Sequence, residues 1–152
     1  LGDDPDNTYA LSGLGWTAYE AGHLDEAQHW FSKVLEIAPE NPYALTGLGV
    51  TKTRLGEFQE AQECYLNSLQ KHFHPPAVWH WFRLATLSGN PQQLGWYLDR
   101  AHEKGDTQEW NATEINSWQQ RVQRLIGLFR EGSDPWPYVN DLATQLPRCY
   151  HA

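Results

Sequence analysis

Histidine is the residue type of this chain with the clearest potential for metal chemistry. His72 and His74 stand two positions apart, and His80 follows a short distance along the chain. A transition-metal site needs three or four converging ligands, and no carboxylate or cysteine lies at a matching spacing. A turn between two helices that is rich in His, Phe and Pro accounts for the same residues. We therefore predict that the chain binds no metal and no cofactor.

The sequence contains no recognisable catalytic constellation. No glycine-rich phosphate loop follows a strand pattern, and no set of Ser, His and Asp or of Cys and His stands out. Asp25 and Glu26 are adjacent carboxylates, but at the start of a helix they stabilise the helix dipole. Cys64 and Cys149 lie far apart and fit neither a zinc nor a redox spacing. We predict that this chain is not an enzyme.

The charge is acidic and unevenly distributed. The formal net charge is -8, and Leu1 to Pro75 carries 4 Lys or Arg against 11 Asp or Glu, whereas Pro76 to Ala152 carries 7 against 8. Phosphate backbones and anionic lipid surfaces are bound through clustered Lys and Arg. No apolar run approaches the roughly 20 residues that a spanning helix needs. We expect neither nucleic-acid binding nor direct insertion into a membrane.

An internal repeat organises the chain and must position any functional residue. Leucine, glycine, glutamate and alanine positions recur with a constant offset, as Leu11, Leu14, Gly15, Gly22, Glu26, Ala27 and Leu35, and again as Leu45, Leu48, Gly49, Gly56, Glu60, Ala61 and Leu69. Each unit is predicted to be two amphipathic helices joined by a turn at the later glycine. The predicted core faces of the first unit are Leu11, Leu14, Gly15 and Ala18 in the first helix, and Ala27, Phe31, Val34 and Leu35 in the second.

Two glycines lie in the interior of predicted helices. Gly15 and Gly49 would each cost about 1 kcal/mol relative to alanine in a helix interior. They therefore indicate places where a neighbouring helix must approach closely. Ala27 and Ala61 are predicted to supply the opposing small surface.

The repeat resembles the tetratricopeptide-repeat (TPR) family. Its small, alanine, aromatic and proline positions are matched by Gly15, Ala27, Phe31 and Pro39, and a second time by Gly49, Ala61 and Tyr65. The resemblance implies an all-α fold, a right-handed superhelical solenoid of antiparallel helix pairs with C-terminal capping helices.

The same register divides the chain into five segments: an acidic lead-in at 1–7, TPR units at 8–41 and 42–74, a degenerate third unit at 75–105, and C-terminal capping helices at 106–152. The third unit departs from the family at Phe82 and Leu94, where small residues are expected. Its helices must therefore pack at a wider or more tilted spacing.

The tail beyond the repeats also has a helical pattern. Asn111 and Glu114 form a capping pair ahead of an apolar stripe that ends before Gly132, which predicts one long helix. Trp136 to Leu146 is predicted to form a last short helix. These helices either cap the end of the solenoid or fold back and fill its groove.

In TPR arrays the first helices of successive units line a concave groove. The resemblance implies that the partner-binding positions here are Tyr9, Ser12, Trp16, Tyr19, Tyr43, Thr46, Val50, Arg54, Trp79 and Arg83. The aromatic members have no core role in this frame, and an exposed aromatic surface is typical of a binding site. The alternative is that the tail helix, or another segment, covers them.

The function predicted from the resemblance is protein or peptide binding, as an adaptor or assembly scaffold. Two alternatives stay open: a regulatory or substrate-docking domain of a larger kinase or glycosyltransferase, and a periplasmic scaffold of a bacterial polysaccharide-export system. The absence of methionine and the turn-rich opening predict a fragment of a longer protein. The sequence favours the cytoplasm slightly and leaves the periplasm open.

Overall fold

The computed structural model describes residues 7–70, 74–103 and 112–147. Over these residues the secondary structure consists of α-helices without strands, which confirms the predicted all-α class. The helices are α1 (Thr8–Glu20), α2 (Leu24–Ile37), α3 (Pro42–Arg54), α4 (Phe58–Ser68), α5 (Pro75–Ser88), α6 (Gln92–Glu103), α7 (Ala112–Glu131) and α8 (Trp136–Gln145). The chain divides between Ala77 and Val78 into two compact units, and unit 1 contains α1 to α4. Unit 2 contains α6 to α8 and most of α5.

The first helix of each pair in unit 1 begins at an asparagine. The Asn7 side chain accepts a hydrogen bond from the backbone N–H of Ala10, and the Asn41 side chain accepts from Tyr43 and Ala44. These contacts satisfy backbone donors that have no partner inside the first turn of a helix. The two helices therefore start in the same way, one repeat apart.

The same helices end at a glycine that reverses the chain. Gly22 has a φ of 82°, and Gly56 occupies the same place in the second pair with a φ of 81°. After Gly22 the backbone N–H of His23 donates to the Ala18 carbonyl at 2.9 Å. Glycine adopts this left-handed conformation without the strain that a side chain would introduce. The turn returns α2 along α1, so the pair is antiparallel as predicted.

Glycine inside α1 and α3 allows an aromatic ring to approach the helix backbone. A Cβ atom added to Gly15 would lie 2.7 Å from the ring of Phe31, and one added to Gly49 would lie 2.5 Å from the ring of Tyr65. Both rings are buried. The predicted close approach is confirmed. The opposing atoms nearest to the glycines belong to the aromatic rings, however, and not to the alanines of the second helices.

Phe31 also joins the first helix pair to the second. A Cβ atom added to Gly47 on α3 would lie 2.5 Å from the Phe31 ring. Ala44 is fully buried in the same cluster, and Leu48 packs against it while half-buried. One side of α3 is therefore covered by α2, which extends the core from one pair to the next.

The expected core position of Leu14 is wrong. Leu11, Gly15 and Ala18 are buried as predicted, but Leu14 has an exposed fraction of 37%. Its neighbour Gly13 faces open space, because a Cβ added there would meet no described atom within 4 Å. The periodicity of α1 therefore marks two sides of the helix, of which only one is packed.

Unit 2 has its own core. Apolar side chains of α5 and α6 form it, and they are buried: Val78, Trp81, Ala85, Leu94, Leu98 and Ala101. Trp81 and Tyr97 contribute facing rings whose centroids are 5.6 Å apart. Burial raises the pKa of the Tyr97 hydroxyl.

Phe82 explains how the third pair differs from the first two. Its ring is fully buried, 5.7 Å from Trp118 of α7 and 6.4 Å from Tyr138 of α8 between centroids. A large side chain here packs against the tail helices, whereas glycine at this place admits the ring of the pair's own second helix. α7 ends before Gly132 and α8 follows as predicted, and Asn111 of the predicted capping pair lies outside the described residues.

A single methyl group tests the ring-on-glycine contact. Gly49→Ala places a Cβ inside contact distance of Tyr65, so we expect the free energy of unfolding to fall by about 1–3 kcal/mol despite alanine's better helix propensity. The matched control is Gly127→Ala in α7, where no described atom lies within 4 Å, and it should stabilise unit 2 by up to about 1 kcal/mol. Thermal unfolding measures both. A Gly49→Ala protein that melts at or above the wild-type temperature would contradict the contact.

Candidate partner-binding surface

α1 and α3, the first helices of the two pairs in unit 1, contact each other. Tyr9 and Tyr43 occupy the same position in the two helices, one repeat apart. Their exposed fractions are 88% and 62%. Two large aromatic side chains at equivalent positions are thus presented to solvent on neighbouring helices. We call Tyr9, Ser12, Trp16, Tyr19, Tyr43 and Arg54 the aromatic surface.

Trp16 and Tyr19 form the part of this surface that is anchored in the core. The Trp16 ring meets Phe31 edge-on at a centroid distance of 5.4 Å, and it meets Tyr19 in the same way at 5.8 Å. Both rings are half-buried against the core of the first helix pair, and Ser12 beside them is half-buried as well. Trp16 and Tyr19 therefore contribute to the core, contrary to expectation, while part of each ring stays accessible.

Arg54 ties the end of α3 to the end of α1. Its guanidinium lies 5.1 Å from the centre of the Tyr19 ring, and its Nη1 donates to the Tyr19 carbonyl at 3.4 Å. A cation held over an aromatic face is stabilised by the ring's quadrupole. Arg54 nevertheless remains exposed. Its remaining N–H groups face solvent at one end of the aromatic surface.

His74 fixes the orientation of Tyr43, a contact that the sequence did not predict. The two rings meet edge to face with centroids 5.0 Å apart. The Nε2 of His74 is buried and forms no hydrogen bond with the described residues. Burial lowers the pKa of His74 to about 4, so the imidazole is neutral at physiological pH. The two residues are far apart in sequence, and no periodic signal connects them.

Two predicted groove residues on α3 lie in the interior. Thr46 is almost completely buried, and its hydroxyl lies 3.2 Å from the Ser68 hydroxyl on α4, which in turn donates to the Pro42 carbonyl. Val50 is buried as well. Their expected exposure is therefore wrong. The register implied by the resemblance places both residues in the groove, but both side chains are buried.

Of the two predicted groove residues in unit 2, one is buried and the other is exposed. Trp79 is only 1% exposed, and its ring lies 6.2 Å from Phe82 and 6.4 Å from Trp118. The expectation that Trp79 has no core role is wrong, because α7 covers it. Arg83 is exposed, with its guanidinium 5.8 Å from the centre of the Trp79 ring. For Trp79, then, the alternative in which a tail helix folds over the aromatic side chain is correct.

Acidic residues outnumber basic ones around the aromatic surface, since Leu1 to Pro75 carries 11 Asp or Glu against 4 Lys or Arg. Lys52 forms ion pairs with Glu57 at 2.8 Å and with Glu60 at 2.9 Å. Hydrogen bonding to Lys52 lowers the pKa of Glu60, which is exposed. Arg54 is engaged with Tyr19. The field around the aromatic surface is therefore set largely by exposed carboxylates, among them Glu20 at the end of α1.

The described part of the chain contains no cluster of metal ligands. No three His, Cys, Asp or Glu side chains there could hold a metal ion together, and His72 and Cys149 lie outside it. Burial raises the pKa of the Cys64 thiol to about 11, so it stays protonated at neutral pH. None of the described helices has the length and apolar character to cross a bilayer.

A comparison with known protein families supports the resemblance seen in the sequence. The model of the tetratricopeptide repeat family matches residues 8–41, which are α1, α2 and the connection to α3. No curated protein matches the chain significantly. The tetratricopeptide repeat is a generic protein–protein interaction module that binds proteins or peptides, and this all-helical fold is typically a non-enzymatic scaffold.

His74 makes the stability of the fold depend on pH. In the unfolded chain His74 takes up a proton near pH 6.5, but in the folded chain only near pH 4. Stability contributed by the neutral form is therefore present above pH 6.5 and is lost as the pH falls toward 4. We expect the wild type to lose about 1–2 kcal/mol from this group between pH 7 and pH 5.

His74→Phe keeps an aromatic ring beside Tyr43 and removes the titration. Between pH 7 and pH 5, the free energy of unfolding of this variant should fall by about 1–2 kcal/mol less than that of the wild type. Denaturant unfolding at pH 7 and pH 5 measures the difference, and the other titrating groups cancel in the comparison. Equal losses in the two proteins would contradict the assignment.

Proposed function

Because residues 8–41 are a tetratricopeptide repeat, we propose that unit 1 acts as an adaptor or scaffold that binds a segment of a partner protein on the aromatic surface. The observation that carries the proposal is the exposure of Tyr9 and Tyr43, at 88% and 62%, on equivalent positions of α1 and α3. Tyrosine is enriched among interface anchors because one end of its ring is apolar and the other is polar.

The surface is held ready for a ligand by contacts inside unit 1. Trp16 is braced edge-on by the buried ring of Phe31, and Tyr43 is braced by His74. Side chains that are already ordered lose little rotamer entropy when a partner binds. The ring contacts of Trp16 with Phe31 and of Tyr43 with His74 therefore support binding without a large rearrangement of unit 1.

Charge selects the kind of partner. Carboxylates outnumber cations in the first half of the chain, and Lys52 is occupied by Glu57 and Glu60. A partner segment with apolar side chains and Lys or Arg residues complements such a surface in both respects. The exposed guanidinium of Arg54 adds a planar donor for a carbonyl or carboxylate of that segment. Extended and helical segments both suit a pair of adjacent helices.

Removal of the exposed tyrosines is the most direct test. A displayed library of random peptides is first selected on the wild-type chain, and the affinity of a selected peptide is measured by calorimetric titration. We expect Tyr9→Ala and Tyr43→Ala each to weaken binding by about tenfold or more. Neither change should lower the melting temperature appreciably, because both side chains are largely exposed.

The matched control is Trp96→Ala in unit 2, where the side chain is 60% exposed and lies outside the aromatic surface. This variant should bind the peptide with wild-type affinity. Trp16→Ala is a poor test, because Trp16 packs on Phe31 and its removal also affects the core. If both tyrosine variants bind the peptide with wild-type affinity, the aromatic surface is not the binding site and the proposal is wrong.

The sign of the partner's charge has a separate test. When the Lys and Arg residues of a selected peptide are replaced by Glu, its affinity for the wild-type chain should drop. The affinity of the original peptide should also decrease as salt rises, since salt screens attraction between exposed charges. An anionic peptide that binds as tightly as its cationic parent would contradict the charge preference and leave the tyrosine test unaffected.

A further inference from the structure

Two arginines on α7 lie over aromatic rings of unit 2. The Cζ atom of Arg121 is 4.6 Å from the centre of the Trp118 ring, and that of Arg124 is 5.1 Å from the centre of the Tyr138 ring. A guanidinium that stacks on a ring is held there by the ring's quadrupole, while its N–H groups lie in its own plane and point past the ring. Both arginines are therefore ordered hydrogen-bond donors.

The two arginines lie close to the hydroxyl of Tyr138 on α8. Arg121 and Arg124 are three positions apart and are therefore neighbours on one side of α7. Burial raises the pKa of the Tyr138 hydroxyl, and the charges of both guanidiniums oppose that rise, which places both within electrostatic reach of the hydroxyl. Arg124 is exposed, and Arg121 and Tyr138 are half-buried. We call these three residues the arginine site.

The positive charge of the arginine site is local and incompletely neutralised. Pro76 to Ala152 carries 7 Lys or Arg against 8 Asp or Glu, so this half of the chain is not basic as a whole. Neither guanidinium forms an ion pair with a carboxylate of the described residues. Burial raises the pKa of Glu114, and the charge of Arg121 opposes that rise. Glu114 therefore weakens the field of Arg121 and leaves Arg124 without a paired carboxylate in the described part of the chain.

The donors of the arginine site suit a single phosphate monoester. A guanidinium pairs with phosphate through two parallel N–H···O bonds, and the phenol hydroxyl supplies one more donor. A phosphate monoester has three acceptor oxygens and about two negative charges at pH 7, so two guanidiniums and a hydroxyl can bind it together. A carboxylate has fewer oxygens and a single charge, which one guanidinium satisfies. A nucleic-acid backbone needs an extended basic surface, which this local site does not provide.

We propose that the arginine site binds a phosphorylated side chain of a partner protein. The guanidiniums of Arg121 and Arg124 hold the phosphate oxygens, and the Tyr138 hydroxyl donates to a further oxygen. The phosphate is assigned to a protein segment because the tetratricopeptide repeat binds proteins or peptides. The inference is independent of the proposed function, since the arginine site lies on the tail helices and uses no residue of unit 1.

The first part of the test asks which chemical group is bound. A synthetic peptide library with one fixed phosphoserine between randomised residues is selected on the whole chain, and the affinity of a recovered peptide is measured by calorimetric titration. Two counterparts of that peptide carry serine or glutamate in place of the phosphoserine. We expect both counterparts to bind about tenfold more weakly or worse, because neither has a dianionic group with three oxygens.

The second part locates the phosphate on the chain. Arg124→Gln changes an exposed side chain, so the protein should melt close to the wild-type temperature while the phosphopeptide binds about tenfold more weakly. Tyr138→Phe removes only the hydroxyl and should weaken binding by about two- to tenfold. The matched control is Arg100→Gln on α6, since the Arg100 guanidinium also lies over a ring, 4.6 Å from the centre of Trp96. This variant loses the same charge and the same kind of contact, and it should keep the wild-type affinity.

Three results would overturn the proposal. The first is a selection that recovers no phosphopeptide, or an Arg124→Gln variant that binds the recovered peptide as tightly as the wild type. The second is equal affinity for the glutamate counterpart, since that would assign the arginine site to acidic segments in general. The third is equal weakening by Arg100→Gln, since that would indicate attraction to positive charge anywhere on unit 2.

Discussion

One aromatic ring sets the geometry of unit 1. Phe31 on α2 is fully buried, and a Cβ placed on Gly15 of α1 or on Gly47 of α3 would lie 2.7 Å or 2.5 Å from its ring. The ring therefore rests on two helix backbones at once. A buried aromatic side chain contributes about 1.5–3 kcal/mol through area alone. Because both glycines lack a side chain, the ring can reach both helix backbones. Its contacts with Gly15 and Gly47 therefore fix how far apart α1 and α3 lie.

The surface that faces solvent depends on this contact. With α1 and α3 held on either side of one ring, Tyr9 and Tyr43 stand on adjacent helices. Trp16 stacks edge-on against the same ring, so the core supports the aromatic surface from beneath. Unit 2 uses a different solution, since Phe82 takes the glycine position and packs against α7 and α8. Aromatic side chains are buried there by the tail helices.

The repeat made much of this fold predictable. The offset between Gly15 and Gly49, and between the turn glycines, located helix pairs without any structural information, because glycine in mid-helix is costly unless it is needed. Periodicity reports which residues share a face, but it does not report which faces meet a neighbour. Periodicity therefore predicts a core position for Leu14, and the register implied by the family resemblance predicts a surface position for Trp79, whereas Leu14 is exposed and Trp79 is buried.

The contact of Phe31 with both glycines can be observed directly by NMR. In a protein labelled at glycine and phenylalanine, nuclear Overhauser effects between the Phe31 ring protons and the α protons of Gly15 and Gly47 report the two approaches separately. The account predicts strong effects to both glycines, together with ring-current shifts of their α protons. Effects to Gly15 alone would leave the second helix pair unattached to this ring, and would contradict the account.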